Sequence, residues 1–217
     1  KFSLIYAGAQ KNIGPAGVTL VIIRKDILGK VNRIIPTMMN YQTHIEKDSM
    51  FNTPPVMAIY AVNRSLNWLD TIGGIEKMAD INLRKAMKLY DEIERNSLFT
   101  SPIQESDRSL MNVPFIFSNK GNDNDFLSFC DKRGLKTLKG HRSVGGFRAS
   151  IYNAMPEEGV DALVQAMKDY ESIWLVYSWV GLSSDSIFIN SLYLKPSLIN
   201  KFIDALLFGE VIATILS

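Results

Sequence analysis

Three short stretches of this chain combine residue types that could do chemistry. In Gly8-Ala9-Gln10-Lys11-Asn12-Ile13-Gly14-Pro15-Ala16-Gly17 a lysine sits between a short apolar run and a turn of small residues. Burial of an amine disfavours its ammonium form, which is what a lysine needs to attack a carbonyl. Lys11 is therefore either such an amine or a surface lysine in a hairpin turn. In Gly140-His141-Arg142-Ser143-Val144-Gly145-Gly146-Phe147-Arg148 two arginines and a histidine bracket a Gly-Gly pair. Guanidinium forks grip carboxylate and phosphate, so Arg142 and Arg148 suit a substrate with two anionic ends, with His141 adding a donor. The alternative is a solvated basic loop. In Phe51-Asn52-Thr53-Pro54-Pro55, Thr53 is placed to cap a helix and Pro54 to open it. Asn52 and Thr53 beside free backbone N–H groups form either a phosphate site or a simple cap.

Other reactive residues carry less. His44, among Glu46, Lys47 and Asp48, is expected in an exposed loop, and Cys130, at helical spacing from Phe126, in the core. Glu157 and Glu158 complement the first turn of a helix. Two histidines and one cysteine are a poor kit for a structural metal site, and none is expected. With 24 Lys plus Arg against 22 Asp plus Glu, the chain lacks the basic excess of a general nucleic-acid binder. Its 217 residues, 47% apolar and 21% charged, are globular in balance. It begins at Lys1, as expected of a piece of a longer protein.

The positioning elements read as α/β. Leu4–Ala7 and Val18–Ile23 suit buried strands. A helix runs from Thr53 to Gly73-Gly74, and a second from about Ile75 to Asn96. Met111–Phe117 reads as a strand whose Pro114 favours an edge or a bulge. A helix over Asp125–Arg133, strands over Leu135–Leu138 and Phe147–Tyr152, and a last helix over Pro156–Glu171 complete the pattern. Residues 172–217 differ, with only five charged side chains: Asp185, Lys195, Lys201, Asp204 and Glu210. That tail reads as an accidental frame or as a membrane- or partner-binding segment.

Together the three stretches, with Met111-Asn112-Val113-Pro114-Phe115 and Arg148-Ala149-Ser150-Ile151-Tyr152-Asn153-Ala154, resemble the phosphoserine aminotransferases of the class-V group, in the same order over residues 1 to about 171. The resemblance implies a fold-type-I enzyme using pyridoxal 5'-phosphate, a cytoplasmic homodimer. Its amino transfer would join O-phospho-L-serine and 2-oxoglutarate to 3-phosphohydroxypyruvate and L-glutamate in serine biosynthesis, with pyridoxine biosynthesis a further role. It implies residues 1–75 as the C-terminal part of a large cofactor-binding domain, 76–171 as an α+β small domain, and 172–217 as an unrelated tail. Lys11 would be the catalytic, cofactor-bearing lysine and Gln10 would lie beside the ring. Asn52 and Thr53 would reach the cofactor phosphate of a second subunit, and His141, Arg142 and Arg148 would hold the substrate. The resemblance also implies that the aspartate facing the pyridine nitrogen, a stacked aromatic and a further arginine precede these 217 residues. The chain alone is then expected to be a poor aminotransferase, or, on the alternative reading, a non-catalytic relative that binds a second chain or a membrane through apolar surfaces.

Overall fold

A computed structural model describes residues 1–119 and 121–180, which fall into two compact units. The first comprises Lys1–Asn82 with Tyr152–Ala154, and the second Leu83–Ile151 with the described residues from Met155 onward.

In the first unit β1 (Leu4–Gly8) and β2 (Thr19–Ile23) pair antiparallel, with Tyr6 opposite Val21 and Ala7 opposite Leu20. The alternation puts Leu4, Tyr6, Val21 and Ile23 on one face and Ile5, Ala7, Leu20 and Ile22 on the other. Both faces are apolar, as in strands meant to be covered on two sides. Two strands cannot cover themselves, so the expected burial fails among the described residues: Tyr6 is 73% and Ile22 67% exposed. After a short helix α1 (Tyr41–Glu46), the chain enters α2 (Val56–Thr71). α2 begins later than its sequence suggests. Pro55 occupies the cap position with no side-chain hydrogen bond, so Thr53 does not cap it and Pro54 is not its first residue. Two consecutive prolines hold the preceding backbone extended, which delays the first helical turn. Gly73, at φ 108°, breaks the backbone before α3 (Gly74–Arg95) begins.

The second unit is a three-stranded antiparallel sheet in the order β3 (Phe99–Thr100), β4 (Asn112–Phe117), β5 (Phe147–Ser150). α4 (Asp123–Asp131), capped by the Asn122 side chain, and α5 (Glu157–Val180) complete it. Val113 pairs with Ala149 and Phe115 with Phe147, so these four share one face of the sheet and are buried. Against them lie Ala86, Leu89 and Ile93 of α3, Phe126 and Cys130 of α4, and Val160, Leu163 and Met167 of α5. The Cys130 thiol is pushed up to about 12 by this burial, which removes it as a nucleophile.

Pro114 lies on the central strand rather than on an edge. Arg148, its pair on β5, gives its own N–H to Leu138 O at 2.7 Å, away from β4. Pro114 is thus in a non-hydrogen-bonded pair with β5, and the N–H it lacks would point toward β3. β3 pairs with β4 only at Phe117 and Ile116, so no ladder bond is lost. Leu135–Leu138 is not a strand; it reaches the sheet through a single bridge between Lys139 and Phe147.

α5 does not stop at Glu171, because that residue is pinned inside the fold. Glu171 Oε1 accepts from the Ser97 backbone N–H (2.6 Å) and hydroxyl (2.7 Å), and Oε2 from Arg95 Nη2 (2.6 Å). Arg95 also grips Glu92, which accepts from Asn96. Burial alone would push the Glu171 carboxyl up, but the Ser97 and Arg95 donors outweigh it and hold the group below its usual range. A depressed carboxylate contributes stability above its ordinary value near 4.5, lost as pH falls through the lower folded value. Glu171→Gln is expected to cost about 2 kcal/mol at neutral pH in a urea titration and to flatten the acid-side loss of stability. An unchanged acid limb would show that other carboxylates set it. Among the described residues no helix is long and apolar enough to cross a membrane. The tail expected over 172–217 lies outside the described residues beyond Val180.

Candidate functional site

The loop between β1 and β2 is tied across its base, where Ala9 N donates to Val18 O (2.9 Å) and Gly14 N to Ala9 O (2.9 Å). Lys11 N donates to Gly14 O at 3.2 Å, and Lys11 takes a φ of 125°, a conformation that side-chain-bearing residues rarely adopt. Such strain persists only where neighbours over-determine the backbone. Gly14 lies so close to α2 that a Cβ there would fall 2.8 Å from Val62 Cγ2, which is why this turn needs glycine. The Gln10 side chain folds back over Gly8, where a Cβ would meet Gln10 Oε1 at 2.4 Å.

Lys11 is exposed in this chain, so of the two readings its sequence leaves open the described residues give the surface lysine. The strands beside it leave their apolar faces open, and the Lys11 side chain itself stays exposed although Ala9 is buried and Gly14 packs on α2. The Lys11 ammonium lies 5.3 Å from the centroid of the Tyr152 ring, and its neighbour Asn12 accepts from the Asn153 backbone N–H at 3.1 Å. Asn153 is in turn held by the buried Asn82, whose Nδ2 donates to Asn153 Oδ1 at 2.8 Å.

Asn52 and Thr53 are exposed in the bend before α2, and Asn52 Nδ2 lies 3.2 Å from Met38 Sδ. His44 is not in an exposed loop. It is half-buried on α1 and donates from Nε2 to Met38 O at 2.9 Å, because Asn40 caps a helix there through its side chain.

His141 and Arg142 sit at the tip of a hairpin whose base is closed by Gly140 N donating to Gly146 O at 2.8 Å. Within it Val144 N and Gly145 N both donate to His141 O, at 3.0 and 2.8 Å. His141 Nδ1 accepts from the Ser143 N–H at 3.3 Å and lies 2.8 Å from the Ser143 hydroxyl. That leaves the ring proton of neutral His141 on Nε2, facing away from the turn as a donor. Arg148, on β5, lies on the face opposite the core, and its Nε is buried with no hydrogen-bond partner among the described residues. A buried N–H of a guanidinium left unmatched costs stability unless a ligand meets it.

Gly146, at φ 58°, makes the hairpin possible. A Cβ there would meet Ile116 Cγ2 at 2.5 Å and Phe115 O at 2.8 Å. Gly145, at φ 75°, has open space around it. Gly146→Ala is expected to cost about 3 kcal/mol and Gly145→Ala about 1 kcal/mol by thermal unfolding. Equal costs would mean that conformation alone, and not the close approach to β4, sets the requirement.

Lys11, Gln10, Asn52 and Thr53 therefore belong to the first unit, and His141, Arg142 and Arg148 to the second. The sequence motif that holds Tyr152 and Asn153 assigns them no role, and Asn82 shows in the sequence only as a polar residue on the apolar stripe Met78, Asn82, Ala86, Leu89 of α3.

Comparison with known proteins bears on this arrangement. Residues 2–163 match the family model for class-V aminotransferases. The phosphoserine aminotransferase of Parabacteroides distasonis is 56% identical over 173 residues, 79% of this chain and 49% of the relative. The phosphoserine aminotransferase structure from Bacillus circulans subsp. alkalophilus aligns with a TM-score of 0.76 at 42% identity, over 80% of this chain and 48% of that one. A pyridoxal-phosphate-bound phosphoserine aminotransferase from Trichomonas vaginalis aligns at 0.71 and 48% identity, over 76% and 48%. The chain spans about half the length of the curated relatives it matches. With the strained lysine loop and the arginine hairpin in one mixed α/β chain, the match places this protein in the class-V aminotransferase family.

Proposed function

We propose that this chain belongs to a phosphoserine aminotransferase, which moves the amino group of O-phospho-L-serine to 2-oxoglutarate and yields 3-phosphohydroxypyruvate and L-glutamate. The observation that carries the reading is the fixed Lys11 loop together with an arginine hairpin whose Arg148 Nε is buried and unmatched, in a chain similar to named phosphoserine aminotransferases. Those relatives favour the enzyme over a non-catalytic chain that merely captures a partner.

The donor set fits pyridoxal phosphate: a primary amine on a loop clamped at Ala9, Gly14 and Val18 meets an aldehyde, and Asn52 and Thr53 supply amide and hydroxyl donors for a phosphate. When bound, the cofactor supplies the electron sink that lets the amino acid's α-proton leave. Lys11 would hold the cofactor through its primary amine and, as the nearby base, would move the amino acid's α-proton. Gln10 would lie beside the ring. Asn52 and Thr53 would hold the cofactor phosphate of the second subunit in a homodimer. His141, through Nε2, and Arg142 meet the substrate phosphate, while the Arg148 fork meets an anionic end of either substrate. The 1–75, 76–171 and 172–217 division, a cytoplasmic setting, and roles in serine and pyridoxine biosynthesis belong to the same reading. The exposed faces of the β1–β2 hairpin predict weak activity of the chain alone, since an open site leaves charge interactions screened by water.

Amino transfer to 2-oxoglutarate, followed as glutamate formed by the full-length protein, tests the assignment. Phosphoserine should exceed serine in kcat/KM by at least about a hundred-fold, because the hairpin's donors go unmatched without a phosphate. Comparable values for the two amino acids would overturn it.

A further inference from the structure

The Lys11 ammonium lies against an aromatic ring that comes from far along the sequence. The Tyr152 ring centroid lies 5.3 Å from Lys11 Nζ, within the range at which a ring face attracts a cation. The next residue, Asn153, donates its backbone N–H to Asn12 Oδ1 at 3.1 Å, so one segment touches two consecutive residues of the strained loop. That segment is itself anchored from α3. Asn82, 2% exposed, donates from Nδ2 to Asn153 Oδ1 at 2.8 Å. One turn further on, Lys85 is fully buried, and its Nζ donates to Ile151 O (3.3 Å) and Met155 O (3.0 Å), the residues that bracket Tyr152–Ala154. Burying a lysine to grip two backbone carbonyls is costly for a mere connection. It makes sense where the segment between them must hold a set shape.

Resting on the reading of Lys11 as the cofactor lysine, we propose that Tyr152 is a positioning residue for Lys11, held against it through the contact of Asn82 with Asn153. The ring restrains the flexible lysine side chain before the cofactor arrives, so less freedom is lost when the amine engages the aldehyde. The role is one of placement: the ring contributes no proton and touches no substrate.

Two measurements on the 217-residue chain test it. Reductive methylation with 13C-formaldehyde labels Lys11 Nζ independently of any cofactor, and Lys11→Arg assigns its signal. The labelled methyls should resonate upfield of exposed lysines through the Tyr152 ring current, return to the exposed envelope in Tyr152→Leu, stay upfield in Tyr152→Phe, and drift toward the envelope in Asn82→Ala. Titration with pyridoxal phosphate, read as yellow absorbance, should show the half-saturating concentration rising about three-fold in Tyr152→Leu and unchanged in Tyr152→Phe, at equal thermal midpoints. Parent methyls already in the exposed envelope, or equal half-saturation in Tyr152→Leu, would overturn the positioning role alone. An upfield signal with no cofactor binding in any variant would overturn the cofactor reading of Lys11 and this role with it.

Discussion

Phe147→Ala is expected to cost about 3–5 kcal/mol, the largest stability loss of any single truncation proposed for this chain. Phe147 is 1% exposed and sits at the centre of a ring cluster. Its centroid lies 4.9 Å from Phe126, 5.1 Å from Phe115 and 5.3 Å from Phe117, the first and last edge-on. Removing it deletes a large buried side chain and several oriented ring contacts together, and a close-packed interior refills such a hole poorly. Since a domain of this size has a total stability of about 5–15 kcal/mol, the variant should be near unfolding in mild urea. Phe147→Leu, which keeps most of the volume, should cost less than half as much. The effect reaches function because Phe147 precedes Arg148 on β5: the residue that fixes the core face also aims the guanidinium on the opposite face. A cost below about 1 kcal/mol for the alanine variant would show that the ring cluster does not organise this unit.

Arg148→Ala is expected to lower kcat/KM for phosphoserine by about 2–4 kcal/mol, or roughly 30- to 1,000-fold, in the full-length protein. The reason is geometric. Its Nε is buried and unmatched, so an anion reaching it gains a charge-assisted bond with little further desolvation of the arginine. Arg148→Lys should recover little, because an ammonium offers no planar fork. Arg142→Ala should cost less, since Arg142 is exposed at the hairpin tip and its pairing is screened by water. Equal losses at the two positions would contradict the distinction drawn from burial.

Much of the architecture is legible in the residues themselves. The β-rich run at Val18–Ile23 and the Gly73-Gly74 break act through local backbone preferences, and each appears where those preferences place it. The differences arise where distant parts of the chain decide. Pro114 reads as an edge residue, yet it fits a central strand because β3 is only two residues long. Glu171 reads as a helix end because a polar cluster surrounds it, whereas its carboxylate is spent on Ser97 and Arg95, 74 and 76 residues away, and α5 runs on to Val180. Thr53 has the chemistry of a cap but is followed by two prolines that postpone the helix. The site shows the same division. Lys11 and the arginine hairpin stand out by residue type and Asn82 only as a polar break in an apolar stripe, whereas Tyr152 and Lys85 matter through long-range contacts that no local pattern announces. The sequence leaves the burial of Lys11 open for a related reason: desolvation depends on what covers the apolar faces of the β1–β2 hairpin, not on the loop's own residues.

Covalent capture of the cofactor tests the central claim most directly. The chain is mixed with pyridoxal phosphate, reduced with borohydride, digested, and mapped by mass spectrometry. The account predicts a phosphopyridoxyl group on Lys11 well above any other lysine, absent from Lys11→Ala. Labelling spread evenly over the surface lysines, or unchanged in total when Lys11 is replaced, would contradict it.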